Sequence, residues 1–291
     1  LYLHIPFCVR KCRYCDFLSF PGVEPSFRKA YLRTLSKEIQ YLGELYNNIY
    51  YVDTLFVGGG TPSLLSPLEM SDLFEAVAGS FFISKDVEIT MEANPGTLAK
   101  EKLNACLKAG VNRLSIGVQS LDNSLLTLLG RVHTAQEARE SVVLARRAGF
   151  SNISCDLMFG IPQQSLKIWM NTLEELLALE PEHISFYSLQ LEEGTPLQEL
   201  VSRGRLALPE AELDRRMYRD AIEVLEDRGY LHYEISNSAR PGFESRHNMK
   251  YWTMAEYLGA GLSAHSYLME GQGKAFQGAR RFYNTSDPVR Y

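Results

Sequence analysis

Short apolar runs and longer amphipathic stretches take turns along this chain, and that alternation limits the fold more than any other feature. The short runs lie at residues 1–5, 52–58, 87–93, 111–120, 152–160 and 183–191; they are rich in β-branched residues, and Gly, Pro or Asn closes most of them, as expected of strands. Between them, residues 24–47, 67–80, 97–109, 134–148 and 165–179 carry apolar residues at helical spacing. Gly110 and Gly149 each follow an alanine, where a helix can end in the left-handed conformation. Strand, loop and helix recur in that order, with strands nearly continuous in apolar residues. Such a pattern implies a parallel sheet covered by helices.

Periodicity leaves two architectures open, a doubly wound sheet and a partial or complete barrel. Polar residues gather at the strand ends: Gly58-Gly59-Gly60-Thr61, Glu92, Gln119, Asp156 and Gln190. One site at the C-terminal rim of a barrel-like sheet accounts for that gathering. The expected fold is therefore α/β, a partial (β/α)6 TIM-like barrel of parallel strands over residues 1–195. Beyond it the pattern loosens into a helix at 210–228 and aromatic-rich sequence, read as an α+β cover over 196–291 packed on the barrel.

The 291 residues are 45% hydrophobic and 22% charged, enough for a full core in one large domain or two smaller ones. A net charge of −5 argues against a groove that tracks phosphates, so nucleic acid is not an expected partner. No apolar run approaches the roughly 20 residues of a membrane-spanning helix, and a soluble protein is expected. Five cysteines, three of them clustered, do not resemble a disulfide framework; the expected compartment is reducing, the cytoplasm. Both chain ends are expected to be trimmed, so the lack of a targeting segment carries little weight.

The stretch LHIPFCVRKCRYCDF places Cys8, Cys12 and Cys15 on one loop straight after the first strand, where a compact metal centre could gather three thiolates. Zinc with His4 or a distant residue as fourth ligand is one reading, although structural zinc sites usually pair two knuckles and no second knuckle exists here. A redox pair of Cys12 and Cys15 is another, and it leaves Cys8 unexplained. The third is a four-iron four-sulfur cluster with one iron open to a small molecule. Cys106 and Cys155 sit at apolar positions of a helix and a strand, as small buried residues do.

VDTLFVGGGTPS ends the second strand in three glycines. Position 63 is Ser63 and no Gly-Lys-Ser/Thr follows, so neither a dinucleotide fingerprint nor a P-loop is present. Glycines here let backbone approach a ligand closely. Glu92, Gln119, Arg131 and Asp156 are unremarkable one by one; converging on the same rim, they would line a polar pocket.

The spacing C-x-x-x-C-x-x-C, with Tyr14 before the last cysteine, resembles the signature of the radical S-adenosylmethionine superfamily. Together with FVGGGTPSLL, ITMEANPGT, GVNRLSIGVQS, LGRVH, DLMFGIPQQ and HNMKYW, it is similar to the family of oxygen-independent coproporphyrinogen oxidases and, within it, to the haem chaperone branch. Phe17 stands where the dehydrogenases carry a further cysteine, and His247, Asn248, Tyr251 and Trp252 match that branch's His-Asn-x-x-Tyr-Trp motif.

The resemblance implies a [4Fe-4S] cluster on Cys8, Cys12 and Cys15, with S-adenosylmethionine chelated to the open iron. It implies S-adenosylmethionine contacts at Tyr2, Gly59, Gly60, Thr61 and Glu92. Contacts to a second such molecule, as the dehydrogenases hold, would fall on Gln119, Arg131 and Asp156, whereas Gln190 and His265 depart from the dehydrogenase pattern. Haem is implied as a third ligand, with His247 as an axial ligand and Met249 or Met254 as candidate partners; the same segment could instead hold the cover on the barrel.

The expected function is a haem chaperone that transfers haem to acceptor haemoproteins, with a peripheral contact to membrane enzymes. The alternative is oxidative decarboxylation of coproporphyrinogen to protoporphyrinogen. Arg10, Lys11 and Arg13 would dock a flavodoxin or ferredoxin that supplies electrons, or simply form a solvated loop face. Family members continue into a C-terminal helical domain, so the chain is expected to be a core without that tail.

Overall fold

The computed structural model describes residues 1–270 and 278–291. Each expected strand forms. β1 (Tyr2–Ile5) leads through two residues of β2 (Phe7–Cys8) into the cysteine loop, which closes where β2 pairs in parallel with β3 (Phe20–Pro21). Then α1 (Pro25–Tyr46), β4 (Val52–Gly59), α2 (Pro67–Ser80), β5 (Ile83–Ala93), α3 (Lys100–Lys108) and β6 (Arg113–Gln119) follow. A short α4 (Asn123–Leu129) precedes α5 (Ala135–Ala148), β7 (Ile153–Phe159), α6 (Leu166–Leu177) and β8 (His183–Ser188).

Local sequence explains the helix starts. Ser66 and Glu69 form a reciprocal capping box at α2, as Thr134 and Glu137 do at α5, satisfying N–H groups that have no partner within the helix. The Glu69 carboxylate also accepts from Arg28 of α1 at 2.7 and 2.5 Å, which locks two neighbouring helices together.

The remaining elements are α7 (Pro196–Ser202), α8 (Ala211–Asp227), β9 (Leu231–Glu234), β10 (Asn237–Ala239), α9 (Arg246–Trp252), β11 (Gly259–Ala260), β12 (His265–Glu270) and β13 (Gly278–Tyr283). They do more than cover a barrel. The sheet has nine strands in the order β11-β1-β4-β5-β6-β7-β8-β10-β9. Every pairing from β11 to β8 is parallel; β10 and β9 add antiparallel strands at the far edge. The expected division after residue 195 therefore falls inside one continuous hydrogen-bonded sheet.

Register decides which residues share a face, because side chains alternate along a strand. Leu3 pairs with Val57, Val57 with Met91, Met91 with Leu114, Leu114 with Ile153 and Cys155 with Ile184. This face is apolar and packs against helix residues such as Leu35, Ile39, Leu73, Leu103, Val142, Trp169 and Leu173. Cys106 and Cys155 are buried in that core, as expected.

The opposite, inward face is polar. Thr90 pairs with Arg113, Glu92 with Ser115, Ser154 with His183 and Asp156 with Ser185. Helix α9 packs against β4 on this side, where His247 bonds Thr54 and stacks near Phe56. The Glu88 carboxylate accepts from the backbone N–H groups of Arg246 and His247 at 3.0 Å each, and Lys250 pairs with Asp53 at 2.8 Å. Among the described residues, no helix is long and apolar enough to cross a membrane.

Glu88→Ala would leave two N–H groups of α9 without their acceptor. The expected cost is about 1–2 kcal/mol, read as a fall of roughly 2–8 °C in melting temperature by circular dichroism.

Candidate functional site

The cysteine loop is tied down on three sides. Phe20 N–H donates to Pro6 O at 2.7 Å, Arg13 N–H donates to Leu129 O at 2.9 Å in the last turn of α4, and Leu197 N–H of α7 donates to Arg13 O at 2.9 Å. Inside the loop, Cys15 N–H donates to Cys12 O at 3.3 Å, which makes the turn that brings these two thiols together. His4 braces the loop from below: Nε2 meets Leu18 O and Nδ1 meets the Tyr2 hydroxyl, each at 3.0 Å. With both ring nitrogens engaged, His4 is not placed as a metal ligand.

Cys8, Cys12 and Cys15 are free, partly exposed thiols that open on one cavity of about 160 Å3. Its walls include Gly59, Gly60, Thr61, Glu92, Gln119, Arg131 and Asp156, so the strand-end residues expected to converge do converge. Tyr2 lies just behind, stacked on Phe56 and bonded to His4.

The glycines are needed for close approach. A Cβ on Gly60 would lie 2.7 Å from Phe7 O, and Gly59, at φ +113°, would drive one to 2.6 Å from the His4 ring. Gln119 at the end of β6 also holds a left-handed φ of 65°, a strained arrangement for a residue with a side chain.

Donors surround the thiols. The Thr61 hydroxyl donates to Cys8 Sγ at 3.6 Å and Arg131 Nη1 to Cys12 Sγ at 3.5 Å, while Arg131 Nη2 is fixed by Asn94 Oδ1 and Gly117 O. Asn94 in turn donates to Thr61 Oγ1 at 2.8 Å. Arg131 Nε is buried without a partner. Three free thiols on one mouth, two of them met by donors, with the Nε–H of a buried guanidinium still to be matched, fit a negatively charged thiolate-held cluster. No three His, Cys, Asp or Glu side chains among the described residues are gathered tightly enough for a single metal ion.

Two buried carboxyls face this space. Burial first, and the neighbouring Asp156 second, push Glu92 up to about 8, partly offset by the Gly59 N–H that donates to it at 3.0 Å. Burial likewise raises Asp156, against the Ser115 hydroxyl bonded to it at 3.1 Å.

A second cavity of about 460 Å3 shares Cys15, Glu92, Asp156 and Tyr187 with the first and runs along the inward sheet face to Phe56, Arg113 and Asn248. Gln190 lines it, whereas His265 is exposed on β12 and stacks on Tyr283. The His-Asn-x-x-Tyr-Trp segment is divided. Asn248 reaches the cavity, Trp252 is exposed, and His247 is buried with Nδ1 on Thr54 Oγ1 at 2.9 Å and Nε2 on the Tyr251 hydroxyl at 3.0 Å. Burial holds its imidazole well below the usual range. In this arrangement neither ring nitrogen of His247 is offered to a ligand, in contrast to the expected axial role.

Asn94, Ser115, Tyr187 and Arg113 escaped the sequence reading. Strict alternation along the strands, traced inward from Glu92 and Asp156, would have marked the last three.

A thiol-lined cavity at the C-terminal rim of a partial parallel α/β barrel defines a metallocluster protein that binds a small molecule beside its cluster. Residues 2–176 match the radical SAM superfamily, and the chain belongs to that superfamily and, within it, to the family that includes the bacterial proteins named heme chaperone HemW. A [4Fe-4S] cluster and S-adenosylmethionine are the cofactors this membership implies.

The chain is 41% identical over 273 residues to heme chaperone HemW of Bacillus subtilis, covering 92% of this chain and 70% of that one. It is 42% identical over 283 residues to the mitochondrial radical S-adenosyl methionine domain-containing protein 1 of Bos taurus, covering 96% of this chain but only 63% of that protein's length. The fold resembles coproporphyrinogen III oxidase HemN of Escherichia coli, with a TM-score of 0.82 and 23% identity, over 100% of this chain and 67% of that one.

Because Glu92 is protonated more readily folded than unfolded, its contribution favours the fold below its ordinary value of 4.5 and is lost as pH rises toward about 8. Ligand-free Glu92→Gln protein should show a flatter dependence of urea midpoint on pH across that window than the parent. His247→Ala should cost about 2–4 kcal/mol in urea unfolding, since it opens a hole and strands the buried Thr54 hydroxyl, while iron content after reconstitution stays at the parental level.

Proposed function

We propose that this chain is a cluster-carrying haem chaperone that binds haem and transfers it to acceptor haemoproteins. The observation that carries this reading is 38–41% identity to heme chaperones HemW of Lactococcus lactis, Bacillus subtilis and Escherichia coli along 92–94% of the chain. The larger cavity supports it: 460 Å3 is within the usual range for small-molecule sites, and Tyr14, Phe17, Phe56, Met158 and Leu189 give it apolar walls.

In this reading Cys8, Cys12 and Cys15 hold the cluster, which when bound supplies one-electron reduction to S-adenosylmethionine. Gly59, Gly60 and Thr61 let the ligand approach the backbone, with Tyr2 and Glu92 behind them. Arg131 screens the thiolate charge at Cys12 and, with Gln119 and Asp156, lines the smaller cavity beside the cysteines. The exposed Arg10, beside Lys11 and Arg13, offers the positive face for a flavodoxin or ferredoxin-type donor. A reducing compartment suits the free thiols, and acceptors include membrane enzymes met at the surface of the bilayer.

The second reading, coproporphyrinogen dehydrogenation, draws on Gln119, Arg131 and Asp156 sharing one cavity with the three cysteines. Phe17 weighs against it: 65% exposed, it stands where dehydrogenases carry a cysteine.

Anaerobically reconstituted protein should give a saturable Soret complex on haem titration and pass haem to an apo-haemoprotein. With coproporphyrinogen, S-adenosylmethionine and reductant it should form no protoporphyrinogen; product there would reverse the assignment. Cys12→Ala should fail to retain iron and sulfide, measured by chemical analysis after gel filtration.

A further inference from the structure

Arg113 opens β6 and points inward from the sheet, at the deep end of the 460 Å3 cavity. It is 2% exposed, and its buried Nε has no hydrogen-bond partner. Among the described residues no carboxylate forms an ion pair with it. A buried guanidinium with no carboxylate paired directly to it is costly.

The acids nearby are otherwise occupied. Glu88 accepts two backbone N–H groups of α9, and Asp156 accepts from Ser115; burial raises its carboxyl, and the Arg113 charge offsets this only in part, without a direct ion pair. The remaining neighbours carry no negative charge: His183 is bonded to Ser154 and Tyr233 at 2.8 and 2.7 Å, and His247 to Thr54 and Tyr251. Asn248 of α9 lines the same deep end.

We propose that Arg113 is the anchor of a carboxylate-binding subsite at the floor of this cavity, which takes the acidic end of an elongated ligand whose other end reaches the cysteine loop. The planar fork of a guanidinium matches a carboxylate, and the cavity runs from Arg113 and Phe56 to Tyr14, Cys15 and Phe17. The inference rests on the haem reading for its preferred occupant, a tetrapyrrole propionate. S-adenosylmethionine carries the same group on its methionyl part, so the test separates the two sources.

Cluster-reconstituted parent, Arg113→Gln and Arg113→Lys proteins would each be titrated with haem and with haem dimethyl ester by Soret absorbance, and with S-adenosylmethionine by equilibrium dialysis. The parent should prefer haem to its diester by tenfold or more, as a charged hydrogen bond requires. Arg113→Gln should bind the two alike, and Arg113→Lys should keep part of the preference. That acid-against-ester difference is a readout that a purely structural arginine would not move. Loss confined to the S-adenosylmethionine arm would support the subsite and assign its carboxylate to that ligand. A parent that binds neither haem nor diester would defeat the haem reading, leaving the dialysis arm to decide the subsite. Unchanged haem preference together with unchanged S-adenosylmethionine affinity in Arg113→Gln would overturn the inference. Should Arg113→Gln fail to fold, Arg113→Lys carries the same comparison, and full parental discrimination by haem and S-adenosylmethionine alike would overturn it.

Discussion

The carboxylate of Glu88 takes the first N–H groups of α9 and so draws the C-terminal segment onto the inward face of the sheet. Much else depends on this contact. It seats His247 between Thr54, Phe56 and Tyr251, and it brings Asn248 to the deep wall of the larger cavity. A sheet whose inward side carries Thr54, Glu88, Arg113, Ser154 and His183 cannot be filled with aliphatic side chains. Each polar group needs a partner from the chain or from what the chain binds.

The cysteine loop meets a related demand at the other end of the same face. Three thiolates close together repel one another unless donors stand near them, and Thr61 and Arg131 are held in that role by Asn94 and Gly117. The loop backbone is clipped to Pro6, Leu129 and Leu197, which belong to three different parts of the chain. The position of the thiols is thus set by the barrel and by α7 together, and not by the short loop alone.

How much of this could be read beforehand follows from range of interaction. The strands and the longer helices were legible because their periodicity and caps are local; the helix expected at 67–80 forms as Pro67–Ser80, with its capping box at Ser66. The cysteine spacing and the glycine run are local too, and the residues named from them line one cavity. By contrast, α4 and α9 are seven residues each, too short for a repeating pattern to show. Tyr251, which takes one ring nitrogen of His247, is four positions away, but Thr54, which takes the other, is 193 away, and Glu88, which holds its backbone N–H, is 159 away; the local sequence does not show that the ring is closed on both sides. Arg113 was hidden for a similar reason: in sequence it is one charge at the start of a strand, and only the register places it on the inward side.

The pairing of β1 with β11, Tyr2 beside Gly259 and Leu3 beside Ala260, bears on how the chain is made. β1 leaves the ribosome before β11, and one flank of that strand has no neighbour until some 250 further residues have emerged. Until then an unpaired edge faces solvent and other nascent chains, a state prone to wrong pairing. The cofactor loop begins immediately after that strand, and its clips to Leu129 and Leu197 mean that a finished cradle for iron and sulfide cannot precede the emergence of α7.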